Sequence, residues 1–323
     1  MRAVVCHAYG PPEDLVVDEV ADPVPGPGQL VVKVHAAAVN YPDVLMIDGK
    51  YQVKAPPPFT PGSELAGEVV AVGEGTNFQP GQRVSATTFV GGFAEQALLH
   101  QAMVAEIPDT ADFASAAAFG VTYRTAYHAL RSVAAVEPGE WVVVLGAAGG
   151  VGLAAVDLAV AMKARVLAAA SSSDKLELCR QRGAEATINY DSEDLKTRIR
   201  ELTGDAARWV LDPVGGRYAE PALRGLARGG TFLTLGYAAG AIPSIPLNLV
   251  LLKGITVRGM EIRTFVTDRP EDSARDMREL TQMFASGVIQ PYIGARFALA
   301  DTAAALRHVA DRKAIGKVII DVI

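Results

Sequence analysis

The stretch at residues 145–154 reads L-G-A-A-G-G-V-G-L-A and directly follows the apolar run at residues 141–144. It predicts a strand, a turn without bulky side chains and the start of an apolar helix. A turn of this kind lets the backbone approach a diphosphate, and the helix N-terminus adds N–H donors and a positive dipole end. In the spacing Ala147-x-Gly149-x-x-Gly152, Gly149 permits that approach and Gly152 permits close packing of helix on strand. Ala147 stands where the dinucleotide-binding motif has its first glycine. The alternative to a dinucleotide site is a glycine-rich turn that binds no ligand.

The surroundings of the turn favour a dinucleotide-binding sheet. Strands and helices alternate after residue 120, and the strands are almost wholly apolar, as expected when helices cover both faces of a sheet. The predicted strands are 141–145, 165–169, 186–188, 209–211 and 231–235. The turn follows the first of them, where a doubly wound parallel α/β sheet of the Rossmann type binds its ligand. The candidate diphosphate contacts are Ala147, Gly149, Gly150, Val151 and Gly152.

The end of the second strand indicates which dinucleotide binds. An NAD site usually places Asp or Glu about 20 residues after the turn, where it accepts from the ribose hydroxyls. Here the strand tip carries Ser171, Ser172 and Ser173, followed by Asp174 and Lys175. Hydroxyls and an ammonium suit a 2′-phosphate, which a carboxylate would repel. We therefore predict NADPH, and we interpret Asp174 as an N-cap or first-turn residue of the next helix.

The flanking segments have a different character. Short apolar runs punctuated by Pro and Gly fill the first 120 residues and predict a β-rich, partly open barrel. A short strand–helix–strand tail ends the chain and is expected to return to complete that domain. We place a β-rich catalytic domain at residues 1–120 and 264–323, and a dinucleotide-binding domain at residues 121–263.

Composition limits the classes of partner. The 323 residues carry a formal net charge of −6 and show no basic run, so we expect neither nucleic acid nor an anionic membrane as partner. No apolar stretch reaches the roughly 18–20 residues of a membrane helix, and no signal peptide is recognisable, which suggests a cytoplasmic protein. Two cysteines, Cys6 and Cys179, without C-x-x-C spacing cannot form a cysteine–zinc site.

Motifs along nearly the whole chain occur in the order of one known superfamily. They are Asn40-Tyr41-Pro42-Asp43, Gly49-Lys50-Tyr51, Pro61-Gly62-Ser63-Glu64-Leu65-Ala66-Gly67, Val72-Gly73, Gly91-Gly92-Phe93-Ala94-Glu95, the glycine turn and Gly316-Lys317-Val318. With these the chain resembles the medium-chain dehydrogenase/reductase superfamily and, within it, the zinc-free quinone oxidoreductases related to zeta-crystallin. The resemblance implies a GroES-like barrel domain beside the Rossmann domain.

The chain departs from the zinc alcohol dehydrogenases of that superfamily. Those enzymes have a cysteine where Asn40 stands, a histidine where Ser63 stands and a further metal ligand near residues 119–120. None of these positions offers a thiolate or an imidazole here. Asp43 and Glu64 remain, but two carboxylates without a sulfur or nitrogen ligand make a poor zinc site. We expect no metal.

Without a metal, the acceptor itself must be electrophilic, as quinones and α,β-unsaturated carbonyls are. The resemblance implies hydride transfer from NADPH to a quinone, with Tyr51 bonding the acceptor oxygen or relaying a proton. Alternatively, Tyr51 only shapes the site and water delivers the proton. Asn40 and Asp43 are further candidates for the catalytic site, and Asn40 also for the cofactor site. A helix cap for Asn40 and a structural hydrogen bond for Asp43 are the alternatives.

Family matching adds cofactor contacts at the ends of strands and at a helix start. They are Thr125, Tyr190, Val214, Gly236 and Tyr237, and they join Ser171, Ser172 and Lys175 from the tip of the second strand. Tyr190 would stack on adenine or touch the 2′-phosphate; a surface tyrosine without that role is the alternative. Each residue sits at the sheet face on which α/β domains bind ligands.

Three functions remain open from the sequence. The leading one is an NADPH:quinone oxidoreductase; the second reduces C=C bonds of enones or enoyl thioesters; the third binds NADPH without catalysis. The resemblance also implies that the predicted edge strand at residues 256–260 pairs with its twin in a homodimer. Such pairing is physically reasonable, because an open apolar edge promotes aggregation.

Overall fold

The computed structural model describes residues 1–323 and divides the chain into two compact units, residues 1–121 with 290–323, and residues 122–289. No helix in it is both long enough and apolar enough to span a bilayer. The boundary after the second unit differs from the one expected from the sequence, which assigned residues 264–289 to the first domain.

The N-terminal part of the first unit is β-rich. Its elements are β1 (Arg2–Val5), β2 (Val16–Glu19), β3 (Gln29–Val39), α1 (Tyr41–Ile47), β4 (Glu64–Val72), β5 (Arg83–Thr87), β6 (Gln96–His100), β7 (Val104–Glu106) and α2 (Phe113–Ala117). Strand β1 ends at Val5 and is followed by an isolated bridge between Cys6 and Phe59. The short strand β7 and the helix α2 were not predicted.

The second unit alternates strands and helices. After α3 (Thr122–Tyr127) and a π-helical segment (His128–Ala134) come β8 (Trp141–Leu145), α4 (Gly150–Ala161), β9 (Arg165–Ala170), α5 (Ser173–Gln181), β10 (Ala186–Asn189), α6 (Leu195–Thr203), β11 (Ala207–Asp212), α7 (Ala219–Gly225), β12 (Thr231–Thr234), α8 (Leu247–Lys253), β13 (Thr256–Gly259), α9 (Ile262–Asp268) and α10 (Pro270–Ala285). The chain then returns to the first unit with β14 (Ile293–Ala298), α11 (Thr302–Ala310) and β15 (Lys317–Asp321).

The C-terminal tail completes the sheet of the first unit, as the sequence predicts. The order of that sheet is β14-β15-β3-β4-β5-β7, with β6 also paired to β3. Strand β15 runs antiparallel to β3 and sets Val318 opposite Val39. A core of fully buried residues from β3, β4 and β15, among them Leu30, Leu65 and Ile320, stabilises this GroES-like arrangement.

The second unit is the predicted Rossmann-type sheet. Its six strands are all parallel in the order β10-β9-β8-β11-β12-β13. All five residues of β8 are buried, which explains the unbroken apolar run before the glycine turn. Strand order reverses direction between β8 and β11, and ligands of open α/β sheets bind at such a switch point, at the carboxyl ends of the strands.

Residues 264–289 pack with the second unit through a buried charge cluster. The Asp276 carboxylate is fully buried on α10; its Oδ2 lies 2.8 Å from His128 Nδ1 and 2.5 Å from Ser132 Oγ, both on the π-helical segment. The Arg275 guanidinium bonds Oδ1 at 2.7 Å. Burial alone would raise the pKa of Asp276, but these hydrogen bonds hold it below its usual value. A carboxylate that needs these partners fixes α10 against the helix before β8.

Candidate functional site

The glycine turn is built around one close backbone approach. A Cβ on Gly152 would lie 2.1 Å from the Gly146 carbonyl oxygen, so only glycine fits in the first turn of α4. Gly146 itself has φ +57°, a left-handed conformation that favours glycine. The sequence pattern began at Ala147 and missed Gly146, although its place directly after a strand was a usable signal. Ala147 is fully buried, and its N–H bonds Ala169 O at 3.0 Å.

The N-terminus of α4 is open to an anion. The helix is 12 residues long, and Gly149 at its N-cap supplies no side-chain hydrogen bond. The first N–H groups of a helix have no intrahelical acceptor, so those of Gly150 and Val151 are donors for an external oxygen. The turn from Gly146 to Gly152, which we call the glycine cradle, thus combines close backbone approach with free N–H donors and the positive end of a helix dipole. This combination fits a diphosphate.

A second anion-binding corner lies at the ends of β9 and β10. Lys175 Nζ lies 3.5 Å from Ser171 Oγ, one helical turn away at the start of α5. Tyr190 follows β10, and its N–H bonds Ala170 O at 3.2 Å, directly before Ser171. The structure thus brings together the hydroxyl and the ammonium predicted for a 2′-phosphate, and it places the backbone of Tyr190 beside the same strand end. Ser172 is the N-cap of α5 without a side-chain bond, and Asp174 lies in its first turn.

Tyr190 has an aromatic neighbour that sequence reasoning missed. Its ring lies 4.2 Å from that of Tyr218, centroid to centroid, and Tyr218 Oη donates to Asp191 at 2.6 Å. Arg217 binds the same carboxylate at 2.6 Å. A surface pocket of about 240 Å³ lies here, and Asp191, Glu193 and Asp194 line it. A phosphate would be repelled by these carboxylates, so the Lys175 side of Tyr190 is the one that suits it.

The opposite side of the turn carries Val214 and two unsatisfied oxygens. Val214 is buried beside Gly146, and its N–H bonds Asp212 Oδ1 at 2.8 Å. Asp212 Oδ2 and Thr234 Oγ1 are buried without partners, and the two residues are opposite each other in the β11–β12 register. Burial raises the pKa of Asp212. Orphaned polar atoms at the carboxyl edge of a sheet fit a ligand that brings its own donors.

The remaining predicted cofactor residues lie in the same unit. Gly236 and Tyr237 follow β12, and Tyr237 is 38 % exposed. Thr125 lies half-buried on α3. The structure therefore places them at strand ends or on the preceding helix, and their contact with a cofactor stays a prediction.

In the first unit, three strand ends converge on a buried ammonium. Lys317, the first residue of β15, is 3 % exposed, and its Nζ lies 2.6 Å from Asn40 Oδ1 and 2.9 Å from Glu64 Oε2. The Asn40 amide donates to Glu64 Oε2 at 3.1 Å. Glu64 Oε1 accepts from the Val121 N–H at 2.7 Å. Sequence reasoning missed Lys317 as a site residue, although a lysine at the start of an apolar strand was a signal.

Asp43 is the other buried charge of this site. Its Oδ2 accepts from the Asn40 backbone N–H at 2.7 Å at the start of α1, and its Oδ1 has no partner. Burial raises the pKa of Asp43 to about 6, although the bond from Asn40 opposes the shift. Asn40 therefore stands at the start of the helix, and both polar atoms of its side chain are hydrogen-bonded, Oδ1 to Lys317 and Nδ2 to Glu64. These contacts fit the helix-cap alternative for Asn40 and the structural alternative for Asp43.

Tyr51 lies in the segment after α1. It follows the left-handed Gly49 after α1, is half-buried, and bonds Leu45 O through its backbone N–H at 3.1 Å. The hydrogen bonds of Asn40 and Asp43 go to other groups. No group of three or more His, Cys, Asp or Glu side chains is arranged to hold a metal ion.

We predict that Asp43→Asn removes a pH-dependent loss of stability. The folded-state pKa of about 6 exceeds the unfolded value of about 3.9, so stability is highest below pH 4 and falls as pH rises through 6. The loss is on the order of 3 kcal/mol, and asparagine can still accept the Asn40 N–H without a charge. In thermal unfolding, the Tm of the variant should rise relative to that of wild type between pH 4 and pH 7.

The matched control is Asp48→Asn, an exposed carboxylate at the end of the same helix. Its Tm difference from wild type should stay small over the same range. A constant difference for Asp43→Asn would show that Asp43 is ionised throughout.

Comparisons with known proteins agree with this architecture. Residues 26–109 match the family model described as an alcohol dehydrogenase GroES-like domain, and residues 150–286 match the one described as a zinc-binding dehydrogenase. The quinone oxidoreductase-like protein 2 homolog of Nematostella vectensis is 36 % identical over 324 residues, which cover 99 % of this chain and 88 % of that protein. Quinone oxidoreductase of Homo sapiens is 32 % identical and covers 99 % of this chain and 97 % of its own length.

Solved structures show the same fold. Quinone oxidoreductase of Escherichia coli, complexed with NADPH, has a TM-score of 0.92 to this chain at 28 % identity and is matched over 100 % of both chains. The chain is therefore an oxidoreductase by family. Its sequence departs from that of the zinc dehydrogenases at Asn40 and Ser63. It belongs to the quinone oxidoreductase family, the zinc-free branch of the medium-chain dehydrogenase/reductase superfamily.

Proposed function

We propose that this protein is an NADPH-dependent, metal-independent oxidoreductase that passes hydride to a quinone. The observation that carries the cofactor assignment is the pairing of the Gly146–Gly152 cradle with the Ser171–Lys175 corner, where a hydroxyl and an ammonium lie 3.5 Å apart. The NADPH in the E. coli neighbour and the names of the relatives support it.

The chain's own residues would hold NADPH at both corners. The N–H groups at the start of α4 bind the diphosphate, and Ser171 and Lys175 bind the 2′-phosphate. When bound, NADPH supplies the hydride. The metal-free part of the proposal rests on the first unit, where Asn40 and Glu64 are engaged by the Lys317 ammonium instead of forming part of a ligand set. An acceptor that already stabilises incoming charge, such as a quinone, suits that site, with Tyr51 as the proposed proton donor.

We further propose that a second copy of this chain pairs with β13. All four residues of this edge strand are exposed, including Val257 at 46 %. On α8, which precedes it, Leu247 and Leu251 are 79 % and 81 % exposed. An open edge strand beside exposed leucines favours association, and a symmetric pair would cover both.

The proposed function predicts NADPH oxidation in the presence of a simple quinone and no loss of rate with a chelator. The measurement compares NADPH and NADH with a quinone and with a simple enone. Turnover of the enone but not of the quinone would indicate that the protein reduces C=C bonds instead. Saturable NADPH binding without turnover of any acceptor would indicate a binding protein, and a failure to bind either cofactor would contradict the site itself.

For the 2′-phosphate corner, we predict that Lys175→Gln raises the KM for NADPH about 10- to 100-fold and leaves that for NADH unchanged. The reason is the loss of one charge-assisted hydrogen bond, of about 1.5–3 kcal/mol. Steady-state kinetics with both cofactors measures it. Lys196→Gln, an exposed lysine on α6, is the matched control and should alter neither value. Equal changes in the KM for NADPH and the KM for NADH would show that Lys175 does not bind the 2′-phosphate.

For the edge strand, sedimentation velocity should give a mass near twice the 33.9 kDa of one chain. Leu251→Glu should shift the population to monomer, because the carboxylate would be buried in the interface. The control is Leu98→Glu on β6, an exposed leucine of the first unit. A monomeric wild type, or a dimer insensitive to Leu251→Glu, would contradict this interface.

A further inference from the structure

The segment that carries Tyr51 has no regular structure of its own. No helix or strand lies between Ile47 and Glu64, and residues 56–58 are three consecutive prolines. Residues 52–54, directly after Tyr51, are exposed. A segment without a helix or a strand ladder is held only by contacts from other parts of the chain. The position of Tyr51 therefore depends on those contacts.

Tyr9 contacts this segment at two points. Its ring packs on Gly49, where an added Cβ would lie 2.9 Å from Tyr9 Cγ. Its Oη donates to the carbonyl oxygen of Ala55 at 2.9 Å. Tyr51 lies between these two points in the sequence. One side chain thus spans residues 49–55, which we call the Tyr51 loop.

Gly49 makes the first contact possible. Its φ of +63° is left-handed, and the missing Cβ leaves room for the ring of Tyr9. The Gly49 carbonyl oxygen accepts from the Lys54 ammonium, which joins the two ends of the loop. The N–H groups of Lys50 and Tyr51 both bond Leu45 O, at 2.8 and 3.1 Å. The start of the loop is therefore fixed to the last turn of α1.

The backbone on either side of Tyr9 is itself anchored. The Gly10 N–H donates to Ile47 O at 3.0 Å, at the end of α1. Cys6 and Phe59 exchange two backbone hydrogen bonds, of 2.8 and 3.2 Å, and Cys6 belongs to the buried core of the first unit. Residues 6–10 are thus bound before and after the Tyr51 loop, and Tyr9 reaches the loop from a fixed base.

The hydroxyl of Tyr9 has a different effect from its ring. The contact of the ring with Gly49 is apolar and sets no direction. The hydrogen bond to Ala55 prefers a narrow range of distance and angle, and it fixes the far end of the loop. Ala55 is 5 % exposed, whereas the Tyr9 side chain is 42 % exposed. Loss of this one bond would therefore free the loop without opening the core.

We propose that Tyr9 is a positioning residue that holds the Tyr51 loop, so that the Tyr51 hydroxyl meets the acceptor in a reactive geometry. This inference rests on the proposed function, in which Tyr51 donates the proton. Proton transfer requires heavy atoms about 2.6–3.2 Å apart, so a small displacement of the loop lowers the rate. Tyr9 acts through Tyr51 and touches neither NADPH nor the acceptor.

The test is a double-mutant cycle between Tyr9→Phe and Tyr51→Phe, with NADPH and a simple quinone. Tyr9→Phe keeps the ring on Gly49 and removes only the bond to Ala55. It should lower kcat about 3- to 10-fold. The KM for NADPH should stay within about twofold, because the proposed NADPH contacts lie in the second unit. In the Tyr51→Phe background, Tyr9→Phe should lower kcat no further.

Equal losses of kcat in both backgrounds would show a general structural effect and overturn the proposal, as would an unchanged kcat for Tyr9→Phe alone. The matched control is Tyr127→Phe, which removes a tyrosine hydrogen bond to Glu279 in the second unit. It should leave kcat within about twofold. A loss as large as that of Tyr9→Phe would show that the effect is not specific to the Tyr51 loop, which also overturns the proposal.

Amide hydrogen exchange separates this proposal from the proposed function. Tyr9→Phe should speed exchange at residues 50–55 and leave exchange in β3 and β4 unchanged. Unchanged exchange at residues 50–55 overturns the proposal, even if Tyr51 donates the proton. Full activity of Tyr51→Phe would contradict Tyr51 as the donor and, with it, the catalytic role of Tyr9. If wild type reduces no acceptor, the proposed function fails, and exchange alone decides whether Tyr9 holds the loop.

Discussion

The second unit depends on the absence of one side chain. Because Gly152 carries no Cβ, α4 can begin against the Gly146 carbonyl, and the end of β8 and the first turn of α4 become one tight element. This contact fixes where the helix N–H donors point, and Val214, which follows β11, packs against the turn. The neighbouring strand ends then place Ser171, Lys175 and Tyr190 on one side of the turn and Asp212 on the other. The ligand-binding edge is thus a consequence of helix–strand packing.

In the first unit the corresponding constraint is electrostatic. Lys317 arrives from the C-terminal tail and binds Asn40, at the end of β3, and Glu64, at the start of β4. A buried ammonium is tolerated only when its donors are satisfied, so the cluster joins three strand ends that lie far apart in sequence. It also engages the side chain of Asn40, one of the positions at which the sequence departs from the zinc dehydrogenases. The interaction that stabilises this unit therefore also holds the polar side chains on which the proposed metal-free chemistry depends.

Periodicity and turn residues were sufficient to predict the parallel sheet, the glycine turn and the return of the C-terminal tail, because these depend on local hydrophobic patterns. The assignment of residues 264–289 failed since it depends on Asp276 finding His128, 148 residues away. Lys317 and Tyr218 were missed for the same reason: each has an ordinary residue type, and only its three-dimensional surroundings distinguish it. A lone lysine or arginine in a sequence does not reveal whether folding will bury it or pair it.

Lys317 shows why that distinction matters for the site. Its ammonium is withdrawn from water, and it is completed by the amide oxygen of Asn40 and a carboxylate oxygen of Glu64. Asp212 in the second unit is the contrasting case, because its Oδ2 is buried without a partner. The arrangement around Lys317 is stable by itself and constrains the fold, whereas the unpaired oxygen of Asp212 is unfavourable by itself and is relieved when a ligand supplies a donor.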